Sequence, residues 1–131
     1  MRWLIRENCG YWEGRWFGVG ELATTEIYDP ASDTWQAGPD LNVARAGSAA
    51  AVVNDQIVIA GGEVIINSHE TLASFEVFDP GNAVWQLGPD QPVPMHGVGG
   101  VAYENRFILL GGSIEAGAIQ NEGQVQIYEP F

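Results

Sequence analysis

The sequence repeats itself with a period of 50 residues. The stretch EIYDPASDTWQAGPD at 26–40 returns as EVFDPGNAVWQLGPD at 76–90, and a third copy, QIYEPF, begins at Gln126. Aligned without a gap, residues 26–62 and 76–112 are identical at 12 of 37 positions. A period between about 20 and 50 residues indicates a solenoid, a propeller or another array in which each repeat is one structural unit.

Short β-rich runs bounded by Gly, Pro, Asn and Asp make up each unit, which is the pattern of antiparallel strands. Residues 54–55 and 104–105 are predicted to form two-residue hairpin turns between strands one and two. Strands one and two are apolar on consecutive residues, so we expect both faces of each to be buried. The four runs of the complete unit are GSAAAVV (47–53), QIVIAGG (56–62), SFEVFDP (74–80) and AVWQLG (83–88).

A repeated four-stranded sheet that is covered on both faces is a propeller blade. The sequence therefore predicts an all-β fold, a propeller arc of about two and a half four-stranded antiparallel blades within residues 21–131. It contains a blade end at 24–37, a full blade at 47–88 and an incomplete blade at 97–128. Closed propellers have about four to eight blades. We expect either a piece of a longer propeller, which we favour, or copies that assemble head to tail into a ring.

Residues 1–20 do not follow the repeat. Three of the five tryptophans and three of the five arginines fall within the first 16 residues. Tyr11 and Trp12 occupy the positions where the period would put a Gly-Gly pair. Two interpretations stay open: an irregular leader joined to the array, or an eroded strand pair of the first blade.

Three features of the unit carry a family resemblance: Gly-Gly closing strand two, an aromatic residue before Asp-Pro in strand three, and Trp six residues after that Asp. This combination resembles the kelch repeat, whose known architecture is a β-propeller, and GELATTEIYDP resembles bacterial members in particular. Arg45 stands where kelch repeats often carry arginine before strand one, but the next unit has Met95 there. The structural positions of the repeat are Tyr28, Asp29, Trp35, Gly61, Gly62, Phe78, Asp79, Trp85, Gly111, Gly112 and Tyr128.

Charge and composition exclude several classes of partner. The chain has 17 acidic and 5 basic residues and a formal net charge of −12. It should therefore repel phosphate backbones and anionic lipid, and we expect neither nucleic-acid nor membrane binding. No apolar run approaches the roughly 18 residues of a membrane span, and no signal peptide is recognisable, so the sequence does not indicate a compartment.

No catalytic, cofactor or metal motif is visible. The glycines form no phosphate-binding loop, and Cys9 has no His and acid partners arranged for catalysis. The only two histidines, His69 and His96, fall short of the three or four clustered ligands of a metal site. Trp35 and Trp85 are expected to be wedges between blades rather than platforms for sugar rings. We therefore predict no catalytic residue, no metal and no cofactor.

The loops offer the best candidate for recognition. The connections after strand two (63–73, 113–122) and before strand one (38–46, 89–96) are the longest and should emerge on one face of the propeller. Solvated acidic loops are the alternative to a binding surface here. The residues expected to contact a protein or carbohydrate partner are Arg45, Glu63, His69, His96 and Glu115.

The resemblance implies a non-catalytic interaction module, because many kelch propellers bind partners through such loops. The competing interpretation is part of an enzyme, since kelch propellers also occur in copper radical oxidases of the galactose-oxidase type and in sialic-acid epimerases. The oxidase needs Cys, Tyr and His ligands, and Cys9 has no repeat context. The epimerase needs a polar pocket that spans more blades.

Overall fold

The described part of the chain is built from β-strands alone. A computed structural model describes residues 4–7, 15–16, 20–117 and 122–129, and within these ranges it contains antiparallel sheets and no helix. The predicted all-β fold is thereby confirmed. The strands are β1 (Leu4–Glu7), β2 (Arg15–Trp16), β3 (Gly20–Glu21), β4 (Thr25–Asp29), β5 (Thr34–Ala37), β6 (Ala49–Val53), β7 (Gln56–Ala60), β8 (Glu63–Val64), β9 (Glu70–Thr71), β10 (Phe75–Asp79), β11 (Val84–Leu87), β12 (Gly99–Tyr103), β13 (Arg106–Leu110) and β14 (Val125–Tyr128).

The second sheet is a complete four-stranded blade, in the order β11-β10-β7-β6. Its first hairpin turns at Asn54 and Asp55, whose φ angles of 50° and 62° are those of a two-residue turn with both residues left-handed. Gly61 follows β7 with a φ of 72°, and a β-carbon there would stand 2.6 Å from the Met95 carbonyl oxygen. Positive φ and close backbone approach therefore both require glycine at this position.

In the first and second sheets, the third strand of the unit ends in a turn that an aspartate caps. Asp79 Oδ1 accepts a hydrogen bond of 2.8 Å from the Gly81 backbone N–H. Asp29 Oδ1 accepts one of 2.9 Å from the backbone N–H of Ala31. These contacts agree with the turn-capping interpretation of the two Asp-Pro pairs.

The first and third sheets each have three strands, in the orders β1-β4-β5 and β12-β13-β14. β1 occupies the place of strand two, because Leu4 faces Tyr28 in register as Ile57 faces Phe78. Leu4 and Ile57 are 53 positions apart, so an exact 50-residue period did not point to this strand. The first sheet thus contains one strand more than the blade end predicted at 24–37.

Two apolar clusters lie between successive sheets. The larger joins the second and third sheets through residues such as Val58, Phe75 and Phe107, with Phe75 and Tyr128 stacked at 4.5 Å between ring centres. The smaller joins the first and second sheets and comprises Leu41, Ile57, Ile59, Phe78 and Trp85, with Ala23 packed against it.

Strand one differs from the expectation that both its faces are buried. In β6, Ala49 and Val53 are buried, but Val52 is 59% exposed. The first sheet has the order β1-β4-β5, so it has no described strand in the position of strand one. The face of β6 that carries Val52 therefore has no described strand of the first sheet packed against it. The prediction of two buried faces holds for β7, where residues 57–60 are all buried.

Candidate functional site

The loops after strand two lie beside the segments that precede strand one. After β7, β8 and β9 form a small hairpin with Glu63 opposite Thr71. Isolated bridges join Ala46 to Glu63 and His96 to Ser113, which ties each loop to the start of its own unit. We call residues 63–73 and 113–117, together with His96, the loop face.

Glu63 and His96 link two successive units on this face. The Oε2 atom of Glu63 lies 3.4 Å from His96 Nδ1 and accepts a 2.7 Å hydrogen bond from the Gly117 backbone N–H. His96 Nε2 lies 2.9 Å from the backbone oxygen of Glu115. Glu63 is only 3% exposed, so it anchors the next loop from below rather than presenting its carboxylate to a partner.

The other two loop residues of the predicted set are exposed. His69 is exposed, with a left-handed φ of 54°, and its ring lies beside Gly117. Glu115 engages His96 through its backbone and leaves its side chain exposed. The structure thus brings Glu63, His69, His96 and Glu115 to one face, with two of them at the surface.

Arg45 does not belong to this surface. It is 1% exposed, and its guanidinium lies 2.7 Å from Glu76 Oε1, with both side chains fully buried. Its remaining N–H groups donate to backbone oxygens of Val43, Gly61 and Ser74 and to the Ser74 hydroxyl. The expectation that Arg45 contacts a partner is wrong for this structure, because a planar five-donor group is here satisfied inside the blade.

Glu76 is the residue that the repeat comparison missed. Besides Arg45, it accepts hydrogen bonds from the backbone N–H groups of Asn42 and Val43 and from the Asn42 side chain. In the next unit the three corresponding residues are Pro92, Met95 and Gln126. Pro92 has no N–H and Met95 no charge, so the neutral Gln126 suffices, and it exchanges two hydrogen bonds with the Val93 backbone. The sequence signal that could have identified Glu76 is the joint replacement of Asn42, Arg45 and Glu76 in the next unit.

Exposed isoleucines accompany the acids of the loop face. Ile66 is 55% and Ile114 46% exposed. Neighbouring loops are fastened to each other beneath them, since the Ile65 N–H donates to Glu21 Oε1 at 2.9 Å and the Thr71 hydroxyl donates to the Ile114 carbonyl at 3.0 Å. The isoleucines therefore stand on braced loops rather than on free ones.

The two repeat tryptophans occupy different surroundings. Trp85 is 7% exposed, packs against Phe78 at 5.2 Å between ring centres, and donates its indole N–H to the Pro39 oxygen of the preceding unit. Trp35 packs against Tyr28 at 4.9 Å but is 41% exposed. The contacts of Trp85 are those expected of a wedge between blades.

The resolved pKa shifts lie outside the loop face. Hydrogen bonds from the Ala31 N–H, and next from the Ser32 hydroxyl, hold the pKa of Asp29 below its usual value. A hydrogen bond to Asp33 raises the pKa of Tyr28. Burial, and then the charge of Asp90, raises the pKa of Tyr128 to about 12. The shifts at Tyr28 and Asp29 arise in the turn after β4, and the shift at Tyr128 arises in the core between the second and third sheets.

The described ranges contain no group of three His, Cys, Asp or Glu side chains placed to hold a metal ion. Cys9 and residues 118–121, which fall within the connection predicted at 113–122, lie outside the described residues. In the part of the chain that the structure describes, no helix is long and apolar enough to cross a membrane.

Part of the chain matches a known family model. Residues 44–92 match the family model described as the Kelch motif. This range holds the whole second sheet together with Arg45 and Glu76, and it confirms the resemblance noted in the sequence. No curated protein matches the chain.

Proposed function

Because residues 44–92 of this chain match the Kelch motif, we propose that it acts as a non-catalytic interaction module that binds a protein partner through the loop face. The observation that carries the proposal is the pairing of exposed apolar and acidic side chains on braced loops. The exposed Ile66 and Ile114 share these loops with the exposed His69, Glu70 and Glu115.

Apolar residues within a polar rim are the usual composition of a protein interface. Loops on a rigid scaffold also limit the entropy lost when a partner binds. Residues 63–73 and 113–117 include no Phe, Tyr or Trp. Aromatic faces are what a sugar-binding surface would be expected to use, so the composition favours a protein partner over a glycan.

The charge of the chain favours a basic partner. The formal net charge is −12, and the loop face adds Glu70 and Glu115 to the contact area. A partner with a cationic and apolar segment would be steered toward this face and would associate faster at low ionic strength.

The proposal can be tested by selecting displayed random peptides on the full chain. We expect the selected peptides to combine Arg or Lys with apolar residues. The double change Ile114→Ser and Glu115→Ala should weaken their binding roughly tenfold, as loss of a central contact does.

The matched control changes the opposite end of the same sheet. Glu104 and Asn105 form the turn between β12 and β13 and are exposed. The double change Glu104→Ala and Asn105→Gly should leave affinity unaltered. Equal losses from both double variants, or a greater loss from the turn variant, would refute recognition by the loop face.

A further inference from the structure

Neighbouring loops of the loop face are fastened to each other. The Thr71 hydroxyl of one loop donates a 3.0 Å hydrogen bond to the Ile114 carbonyl of the next. The Gly117 N–H of that next loop donates at 2.7 Å to Glu63 Oε2 of the first. We call the contact between Thr71 and Ile114 the seam. Because hydrogen bonds join the two loops at both of these places, they keep a fixed relative position.

The β8–β9 hairpin is also held on the side away from the seam. Ile66 Cδ1 lies 3.2 Å from the position that a β-carbon on Gly20 would take, and the Ile65 N–H donates to Glu21 Oε1 at 2.9 Å. Gly20 and Glu21 form β3. The hairpin is thus attached to β3 on one side and to the next loop on the other. Loops that are already ordered lose little conformational entropy when a partner binds.

Exposed apolar side chains lie on both sides of this hairpin. Ile66, on the β3 side, is 55% exposed, and Ile114, across the seam, is 46% exposed. Two exposed acidic residues adjoin the seam, because Glu70 precedes Thr71 and Glu115 follows Ile114. The face therefore presents acidic groups at the junction of the two loops and an apolar group on each loop.

Gly117 has the conformation that this attachment needs. Its φ of 74° lies in the left-handed region that favours glycine. A β-carbon there would lie 3.5 Å from His69 Cε1 and 3.6 Å from Ile65 Cδ1, so this residue packs directly on the tip of the hairpin. With its N–H bound to the buried Glu63, Gly117 positions the second loop relative to the first.

We propose that the loop face binds one short partner segment that crosses the seam and carries a basic residue between two apolar residues. The basic residue is complementary to Glu70 and Glu115, and the apolar residues are complementary to Ile66 and Ile114. This inference rests on the proposed function and adds that both loops hold the same segment. Two independent sites, one on each loop, would not need the contacts that fasten the loops together.

The probe is a displayed peptide library with arginine fixed at the centre and random residues on both sides, selected on the full chain. We expect enrichment of apolar residues on both sides of the arginine, and no enrichment from a control library with glutamate at the centre. The enriched peptide is then titrated by calorimetry, where we expect one peptide per chain. Ile66→Ser and Ile114→Ser should each weaken its binding about tenfold, as loss of a central contact does. The control is Val84→Ser on β11, where Val84 is 44% exposed, and it should leave affinity unaltered.

A second experiment shifts one loop against the other and leaves the isoleucines and carboxylates in place. Gly117→Ala puts a side chain at a left-handed φ, which should loosen residues 113–117. We expect faster amide hydrogen exchange of these residues in the free chain and about tenfold weaker peptide binding. Gly123→Ala is the matched control and should change neither, because Gly123 has no left-handed φ and a β-carbon there meets nothing within 4 Å.

The outcomes separate this inference from the proposed function. Two peptides per chain, or a peptide that responds to only one isoleucine, would overturn the single segment and leave recognition by the loop face in place. Faster exchange in Gly117→Ala with unchanged affinity would also overturn it, since the relative position of the loops would not matter. A peptide that responds to neither isoleucine but to the Glu104→Ala and Asn105→Gly change would refute the loop face itself, and the absence of any binder would refute both.

Discussion

Arg45 and Glu76 illustrate at the scale of single residues how a buried charge restricts its neighbours. Removing two charges from water costs several kcal/mol for each ion unless the pair is also well hydrogen-bonded. Here the carboxylate accepts four hydrogen bonds, one of them from Arg45. In the next unit Met95 and Gln126 fill the same positions without charge. Each pair is internally matched, and a mixed pair would leave a buried group unsatisfied.

We expect Glu76→Gln to destabilise the fold by about 3 to 5 kcal/mol, because it leaves the Arg45 charge buried without its counter-ion. The double variant Arg45→Met and Glu76→Gln reproduces the pair of the third sheet and should recover most of this loss. Urea unfolding of the two variants and the wild type measures the difference. A double variant less stable than Glu76→Gln would contradict the matching argument.

Tyr128 gives a prediction about alkaline pH. Because burial raises the pKa of Tyr128 to about 12 from an ordinary value of 10.0, the fold favours the neutral phenol. Its stabilising contribution is present below pH of about 10 and is lost as the pH rises through about 12.

Ultraviolet titration of phenolate should therefore show a component near pH 12 that Tyr128→Phe removes. The free energy of unfolding of Tyr128→Phe should also fall less than that of the wild type as the pH rises from about 10 to about 12. Tyr103, which is 60% exposed, provides the matched control, since Tyr103→Phe removes one phenol and leaves the buried one in place. Retention of the late component in Tyr128→Phe would show that another phenol produces it.

At the scale of the strand, Trp35 and Trp85 should contribute unequally to the free energy of unfolding although they occupy the same position of the repeat. Trp85→Ala should cost about 3 to 5 kcal/mol, as other large-to-small core changes do. Trp35→Ala should cost less than half as much, because Trp35 is 41% exposed and Trp85 only 7%. Denaturant unfolding measures both. Similar losses at the two sites would mean that packing between sheets is not the reason that Trp85 stabilises the fold.

Trp85→Phe should fall between wild type and Trp85→Ala. The ring of phenylalanine retains contact with Phe78, but it cannot donate to the Pro39 oxygen as the indole does at 3.0 Å. A loss of about 1 to 3 kcal/mol is expected from the smaller volume and the oxygen left without one donor.

Local sequence signals were sufficient for most strands and turns. The four predicted runs of the second sheet contain β6, β7, β10 and β11, because β-rich residues and Gly, Pro, Asn and Asp boundaries act over short distances. The two-residue turns were predicted for the same reason. The sequence alone leaves β1 undecided, because the connection from β1 to β4 is three residues longer than the one from β7 to β10 and shifts the spacing from 50 to 53.

Side-chain destinations were harder to predict than backbone elements. Arg45 belongs to a long loop and carries a charge, two features that usually indicate exposure. Its burial depends on Glu76, which is 31 positions away in the sequence and was visible only as a repeat identity. Glu63 lies on the loop face, but its orientation depends on contacts with His96 and Gly117 from the next unit.

Across the whole molecule, the outward flank of the third sheet matches a face that is buried elsewhere. Residues 51, 53, 60, 75 and 77 of the second sheet face the third sheet, and their counterparts 50 positions later are Val101, Tyr103, Leu110, Val125 and Ile127. These five are 46% to 60% exposed. A contiguous apolar patch of this kind usually marks an interface.

We therefore expect the isolated chain to self-associate through this flank. Val101→Lys with Ile127→Lys should shift light-scattering masses toward the monomer, because it introduces charge into the patch. The control is Val84→Lys with Leu87→Lys on β11, where the exposed fractions, 44% and 61%, nearly equal the 46% and 58% of the first pair. A monomeric wild type, or equal effects of the two double variants, would contradict this role of the flank.

The matched residues inside each unit bear on how such an array can be rearranged by recombination. Asn42, Arg45 and Glu76 lie within 35 positions of one another, and Pro92, Met95 and Gln126 form the corresponding set. Duplicating or exchanging a whole segment that begins before Asn42 keeps each set intact. A crossover between β6 and β10 would instead join Arg45 to Gln126 or Met95 to Glu76, burying a charge without its partner. Chimaeras cut at residue 40 or 90 should therefore fold more readily than chimaeras cut at residue 62 or 112.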